Sequence, residues 1–591
     1  MRGAFAGSST EDVGVSTPWR AVLVVWLLGA ALMLAAGWGN FSPARFLDGD
    51  DALRLQQVRD LLAGQGWYDL TQYRIAPPDG VPMHWTRVVD LPIAGVILLL
   101  RPLIGAVQAE VVAIVLVPLL SLLAAMALTA RLAARFFGAS AGAIAALLVL
   151  MAVPASFRMM PLRIDHHAWQ YVLALVALNG MVSRSARHGG ALAGLALALS
   201  LAISLEALPL AVIFAGVCAV RLLRGDDRWL VAYMAGLALG GAALFLATRG
   251  VLDLVDYCDA LSPVHLAAFL WVAVVCGLAL PRLRTRPPAL GVIALGLAGM
   301  GALAIMGLRA PQCLSADAFG ALDPLVKRVW LGSVVEGLPF WRQGLVLGAT
   351  MVLLPALGLL ACWRLWRKAG DGQERALWID MALLLGGATL IGLLVARASA
   401  VACLFAAVPA AWQVMDQIAR WSAEPLLLRR LARVPLIMAL FVPGAMVGVA
   451  VSAFDPPKAA SHNSMQACNF AALAPQIAAM PRATILSGLD IGPTLLVTSQ
   501  HTVVATAHHR ASAAMRDLIL AFLGPDYGAR QIMARRGATL VVICPTGSES
   551  RVYRKLAPDG FMAHLVKGRA PDWLEPVPVD AKSGVKVWRV R

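Results

Sequence analysis

Charge is what this chain has least of. Asp, Glu, Lys and Arg make up 14% of its 591 residues, against roughly a quarter in ordinary globular domains. So few charges exclude a disordered chain, which stays open only with high charge and low hydrophobicity. A single soluble core is excluded as well. At 59% hydrophobic residues and a mean hydropathy of +0.73, the apolar surface needs lipid to cover it. Also missing are a Walker A sequence, a Gly-x-Gly-x-x-Gly fingerprint and a His-Glu-x-x-His pair, which argues against P-loop hydrolysis, dinucleotide binding and zincin chemistry. No basic domain with interleaved aromatics accounts for the net charge of +16, so nucleic acid is not an expected partner.

What is present is a series of apolar runs punctuated by arginine. Spans are predicted at 20–37, 103–130, 137–153, 168–183, 189–204, 205–222, 229–249, 265–280, 288–307, 343–362, 377–396, 398–413 and 434–454, about thirteen crossings. The run 91–100 is too short to cross and reads as an interfacial or re-entrant helix. With that parity, Arg131/Arg135, Arg184/Arg187, Arg221/Arg224/Arg228, Arg282/Arg284/Arg286, Arg364/Arg367/Lys368 and Arg429/Arg430/Arg433 fall on one side, the cytoplasm. Residues 1–19, with Arg2, form a cytoplasmic N-terminus, 20–454 a membrane domain, and 38–102 and 308–342 long outer loops. The expected location is a bacterial-type inner membrane, with the outer loops facing the periplasm.

From 455 to 591 the pattern changes. Helical stretches at 511–523 and 529–536 alternate with β-rich runs at 501–506, 539–544 and 585–590, predicting a small α/β domain on the outer side. Cys218, Cys276, Cys362 and Cys403 lie in or beside spans, whereas Cys258, Cys313, Cys468 and Cys544 fall outside. An oxidising compartment would permit Cys258 to pair with Cys313 and Cys468 with Cys544, though spacing alone does not fix either bond.

Two polar clusters stand at the mouths of apolar segments, where ionised groups signal function. Asp48, Asp50 and Asp51 lie outside the first span; Asp165-His166-His167 lies between two later ones. The first offers oxygen ligands to a hard cation, or else is an acidic helix start. The second offers mixed oxygen and nitrogen ligands, or else caps a helix beside two bystander histidines. Ser333-Val334-Val335-Glu336 occupies the second outer loop, and Glu206 sits between two spans, lining a cavity or simply paired. His508-His509-Arg510 resembles a metal or anion patch, but with no carboxylate nearby in sequence it reads as a surface or substrate-contact patch.

In this order the motifs resemble those of oligosaccharyltransferase catalytic subunits, membrane glycosyltransferases of the GT-C type, along nearly the whole chain. The resemblance implies that Asp50, Asp165 and His167 hold a divalent metal, Mg or Mn, and that Glu336 serves catalysis beside Asp50 and Asp165. It further implies that Arg397 binds the donor phosphate and that a polyprenyl-(pyro)phosphate sugar is the donor, presented from membrane lipid. One departure stands out. Where the family carries Trp-Trp-Asp-Tyr-Gly to read a glycosylation sequon, this chain has Gly488-Leu489-Asp490-Ile491-Gly492, followed by Thr502-Val503-Val504-Ala505. Asp490 remains the acceptor-side candidate, and the acceptor is open among glycan, lipid and protein. The competing class is a multi-span lipid or glycan transporter or flippase, disfavoured because the acidic residues gather at one face and no repeat is visible.

Overall fold

A computed structural model describes residues 17–284, 286–315, 319–452 and 467–591. Arg2 and most of the 1–19 segment, residues 316–318 of the second outer loop, and 455–466 at the start of the terminal domain lie outside the described residues.

The apolar runs are helices. Ten of them are long and apolar enough to cross a bilayer: Trp19–Phe41, Ala106–Phe137, Ala186–Ile203, Leu205–Leu223, Arg228–Thr248, Pro263–Leu283, Ala289–Arg309, Leu345–Lys368, Gly372–Leu394 and Ala396–Ala423. Two further pairs are broken, Ala139–Met151 with Val153–Met159 at 66° and Leu427–Phe441 with Pro443–Val451 at 113°. Pro154 and Pro443 stand at these breaks, each lacking the N–H that would continue the helix. Of the expected thirteen crossings, ten, or twelve with the broken pairs, meet that length and apolarity among the described residues. His167–Met181 has 15 residues, and at about 1.5 Å each it rises roughly 22 Å, short of a hydrocarbon core about 30 Å thick. Asp90–Ile104, which contains the short run, is equally 15 residues long.

Small residues let these helices touch. A Cβ on Gly194 would lie 2.2 Å from the Tyr233 carbonyl, and one on Gly190 2.7 Å from that of Trp229, so Ala186–Ile203 and Arg228–Thr248 meet backbone to backbone. At one end of the bundle Asp380 accepts from Arg221 and Arg224, each at 2.7 Å, and Arg284 pairs with Asp227 at 2.7 Å. These arginine-rich turns share a face.

The opposite face is one assembled body. In the first outer loop β1 (Thr71–Gln72) pairs antiparallel with β2 (Val81–Pro82). The terminal domain carries β3 (Thr484–Ser487), β4 (Thr502–Val503), β5 (Ala538–Ile543), β6 (Leu574–Val577) and β7 (Lys586–Val590) in the order β4-β3-β5-β7-β6. The first three are mutually parallel, and β7 runs antiparallel to β5 and β6. The expected strands at 501–506, 539–544 and 585–590 are β4, β5 and β7; β3 and β6 carry no alternation long enough to read.

Leu53, Ile75, Met83 and Trp85 of the first loop, and Leu322 and Val326 of the second, share one hydrophobic core with Ile485, Leu486, Val541 and Val542. Ile75 bridges to Val503, and Arg74 donates to the carbonyls of Ser499 and His501, each at 2.6 Å. Both outer loops and the terminal domain thus lie on one side of the bundle. On that side Cys258 is bonded to Cys313 and Cys468 to Cys544, while Cys218, Cys276, Cys362 and Cys403 are free and buried.

Candidate active site

The first cluster begins as a helix cap. Asp48 is extended, and its carboxylate accepts from the Asp50 N–H at 3.2 Å, starting the helix Gly49–Leu62. Asp50 and Asp51 follow in its first turn, where the positive end of the helix dipole favours acids. Asp51 points inward with no exposed surface. It forms an ion pair with Arg163 Nη1 at 2.7 Å and accepts from the Asp165 backbone N–H at 2.9 Å, so the first cluster holds the second in place. Leu162, at φ +71°, takes the left-handed turn that swings Arg163 and Asp165 toward this helix.

Asp165 uses both oxygens. Oδ1 is hydrogen-bonded with His166 Nδ1 at 2.6 Å, and Oδ2 lies 3.3 Å from His167 Nε2. Both imidazoles also approach Glu206 Oε2, at 4.0 and 3.8 Å. One ligand atom from each of Asp165, His166 and His167 lies within 4.8 Å of the others. Burial and the neighbouring Asp48, Asp165 and Glu336 push the Asp50 carboxyl well above its ordinary value. Burial opposes charge on His166 too, but Asp165 and Glu206 outweigh it and raise this imidazole to about 9. A donor set of carboxylate oxygens with adjacent imidazoles, gathered within 4.8 Å, fits a divalent cation.

Glu336 and Arg397 meet across two loops. Ala396 donates its N–H to the Leu338 carbonyl at 3.1 Å, bringing the turn Val335–Gly337 against Ala396–Ala398. Arg397 Nη1 reaches Glu336 Oε1 at 3.3 Å while Nη2 reaches Glu206 Oε1 at 2.7 Å. Arg158 pairs with the other Glu336 oxygen. Burial works against ionisation of Glu336, but Arg158, His167 and Arg397 hold it down at about 2. Glu206 is accordingly a paired side chain as well as a cavity wall.

Two cavities adjoin here. One, about 300 Å³, is lined by Asp50, His166, His167, Glu206, Glu336 and Arg397, with Trp85, His84, His508 and His509 on the terminal-domain side. The other, about 370 Å³, runs between the helices past Leu208, Leu210, Ile391, Val395 and Val401. His167, Glu206 and Arg397 border both. Asp50, Asp165, His167, Glu336 and Arg397 are therefore brought to one place, His167 and Arg397 directly on the wall between a polar and an apolar space.

Asp490 lies outside that lining. Its segment wraps Glu549, which accepts from the N–H groups of Leu489 at 2.8 Å and Asp490 at 3.3 Å. A Cβ on Gly488 would stand 2.3 Å from Glu549 Oε2, so glycine is what admits the carboxylate, and Leu489 is buried in the domain core. Sequence reasoning gave no role to Arg158, Arg163 or His84. None belongs to a motif, and their partners lie far away along the chain.

No family model matches the chain, and no curated protein matches it. Solved structures do. The archaeal oligosaccharyltransferase AglB from Archaeoglobus fulgidus, in complex with an inhibitory peptide and a dolichol-phosphate, superposes with a TM-score of 0.62 at 14% identity over 94% of this chain and 72% of that one. The Archaeoglobus fulgidus oligosaccharyltransferase tethered to an acceptor peptide containing the NVT sequon gives 0.61 at 12% identity, over 91% and 71%. Its complex with Zn and sulfate gives 0.58 at 13% identity, over 91% and 70%. The chain has the GT-C fold, in a divergent sequence.

Proposed function

We propose that this chain is an integral membrane glycosyltransferase that moves a sugar or oligosaccharide from a polyprenyl-(pyro)phosphate donor to an acceptor on the outer, periplasmic face of an inner membrane. The observation that carries the reading is Arg397 at the boundary of the two cavities. A lipid-linked donor needs an apolar groove for its tail and a cationic, metal-binding pocket for its phosphate, side by side, and this arrangement supports both. The Archaeoglobus fulgidus neighbour is complexed with a dolichol-phosphate, a lipid phosphate of that class. The two cystines on the outer body support an oxidising compartment.

Asp50, Asp165 and His167, with His166 beside them, would hold the divalent metal, Mg or Mn. When bound, that ion supplies Lewis-acid stabilisation of the departing phosphate. Arg397 donates charge-assisted hydrogen bonds to the same phosphate oxygens, and Glu206 and Glu336 fix the guanidinium from either side. Glu336 stays ionised and accepts a hydrogen bond from the incoming acceptor. The acceptor attacks the anomeric carbon, the bond from that carbon to the phosphate oxygen breaks, the lipid phosphate leaves with the electron pair, and the acceptor's proton passes to the released phosphate. Trp85 and the terminal-domain histidines line the far side of the polar cavity.

The test is turnover of a radiolabelled polyprenyl-linked sugar by the purified chain with Mg²⁺ or Mn²⁺. Release of lipid phosphate, reduced at least 100-fold in Arg397→Ala, supports the reading. An intact donor under all metal conditions rejects it in favour of transport.

A further inference from the structure

The first outer loop and the terminal domain meet at three imidazoles that the proposed reaction does not use. His84 follows β2, and His508 and His509 follow β4. His84 Nδ1 and His508 Nε2 are 3.0 Å apart. The His84 and His509 rings lie 4.8 Å apart between centroids, and those of His508 and His509 4.9 Å. One nitrogen from each of the three falls within 4.8 Å of the other two.

The surroundings hold these rings as ligands are held. Asp259 Oδ2 accepts from His509 Nε2 at 2.6 Å, leaving Nδ1 of that ring for another partner. Asp259 is itself clamped by Arg510, whose Nε and Nη2 donate at 2.8 and 2.7 Å. Its neighbour Cys258 is anchored to Cys313. A carboxylate behind an imidazole fixes its orientation and raises its basicity toward a metal. His508 is buried, with Nε2 toward His84 and Nδ1 without a hydrogen-bond partner among the described residues. All three rings border the polar cavity.

We infer that His84, His508 and His509 form a second metal site, of the imidazole type taken by zinc, with an open coordination position facing the polar cavity. Three neutral imidazoles select a borderline first-row cation over Mg²⁺, which prefers oxygen. The site joins the terminal domain to the first outer loop. Its open position suits an anionic or hydroxyl-bearing group of a molecule in the cavity. This inference stands whether or not the chain transfers sugar, because metal binding is its direct readout.

The experiment is titration of the chelator-stripped full chain in detergent with Co²⁺ as spectroscopic probe, under excess Mg²⁺. His84→Ala and His508→Ala should each bind one equivalent fewer than the parent, and Asp259→Asn should weaken that equivalent by about 10- to 100-fold. X-ray absorption of the parent should report a cobalt shell with three imidazoles, which decides the matter even where an alanine variant does not fold. Equal stoichiometry and affinity in parent and histidine variants would overturn the site. So would an oxygen-only shell.

Discussion

Asp51 accepts the backbone N–H of Asp165 at 2.9 Å, a bond between residues 114 positions apart. It converts two acidic motifs at separate helix mouths into one site. Burial lifts the Asp51 carboxyl to about 7 even against Arg163, so near neutrality an amide of the same shape is a fair substitute. Asp51→Asn should keep the acceptor for the Asp165 N–H and retain most donor turnover. Asp51→Ala leaves Arg163 with Asp48 alone, at 3.2 Å, and strands that N–H in a dry environment, a loss of about 1–3 kcal/mol. Thermal unfolding and turnover measured on both variants check the ranking; equal behaviour of the two would mean the bond does not organise the site.

Removing the metal ligands should be non-additive. Asp50→Ala and Asp165→Ala are each expected to abolish turnover while protein still accumulates in the membrane, and the double variant should be no worse, as for groups that act as a unit. EDTA should silence the parent, and Mg²⁺ or Mn²⁺ should restore it. Undiminished turnover in excess EDTA would dismiss the metal assignment.

Asp50, Asp165 and His167 were legible because each is a polar side chain at the mouth of an apolar run, where sequence alone marks it as costly. Glu336, in an outer loop, and Arg397 gain their roles only through the family resemblance, and the structure gathers all five. Arg158 and Arg163 were not legible, since an arginine beside a span usually reads as a topology signal. Asp259 and His84 have no motif at all, and their partners His509 and His508 stand 250 and 424 residues away. His508-His509-Arg510 was visible as a patch, but its carboxylate partner comes from another loop. The helix His167–Met181 is apolar enough to read as a span, yet with 15 residues it falls short of the length at which a crossing is counted.

Glu549 makes the terminal domain pH-sensitive. Burial and Asp490 raise its carboxyl from 4.5 to about 7, against the lowering effect of Tyr553 and the amides of Leu489 and Asp490. A carboxyl whose folded value is raised favours folding in its protonated form. Its contribution is complete below about 4.5 and is lost as pH rises through about 7. Stability of this domain should fall across that window in the parent relative to Glu549→Gln, which cannot ionise. Parallel unfolding temperatures from pH 5 to 8 would remove Glu549 as the cause.

The acceptor is where this chain departs furthest from the sequon-reading pattern it resembles. A pocket that hydrogen-bonds the Ser or Thr hydroxyl of a sequon rejects peptides lacking it strongly, because its own buried polar groups would be left unpaired. Here the positions of the two tryptophans are Gly488, where a Cβ would meet Glu549 at 2.3 Å, and Leu489, buried in the domain core. Neither can form a wall for a threonine methyl, and Asp490 borders neither cavity beside Arg397. Peptides with Asn-x-Thr and Asn-x-Ala should therefore be used equally poorly, with no N-glycosylated peptide as the expected result, while a glycan, lipid or hydroxyl acceptor is glycosylated. Mass spectrometry settles it. Glycans confined to Asn-x-Ser/Thr sites and lost in Asp490→Ala would show that a sequon pocket has been rebuilt here without tryptophan.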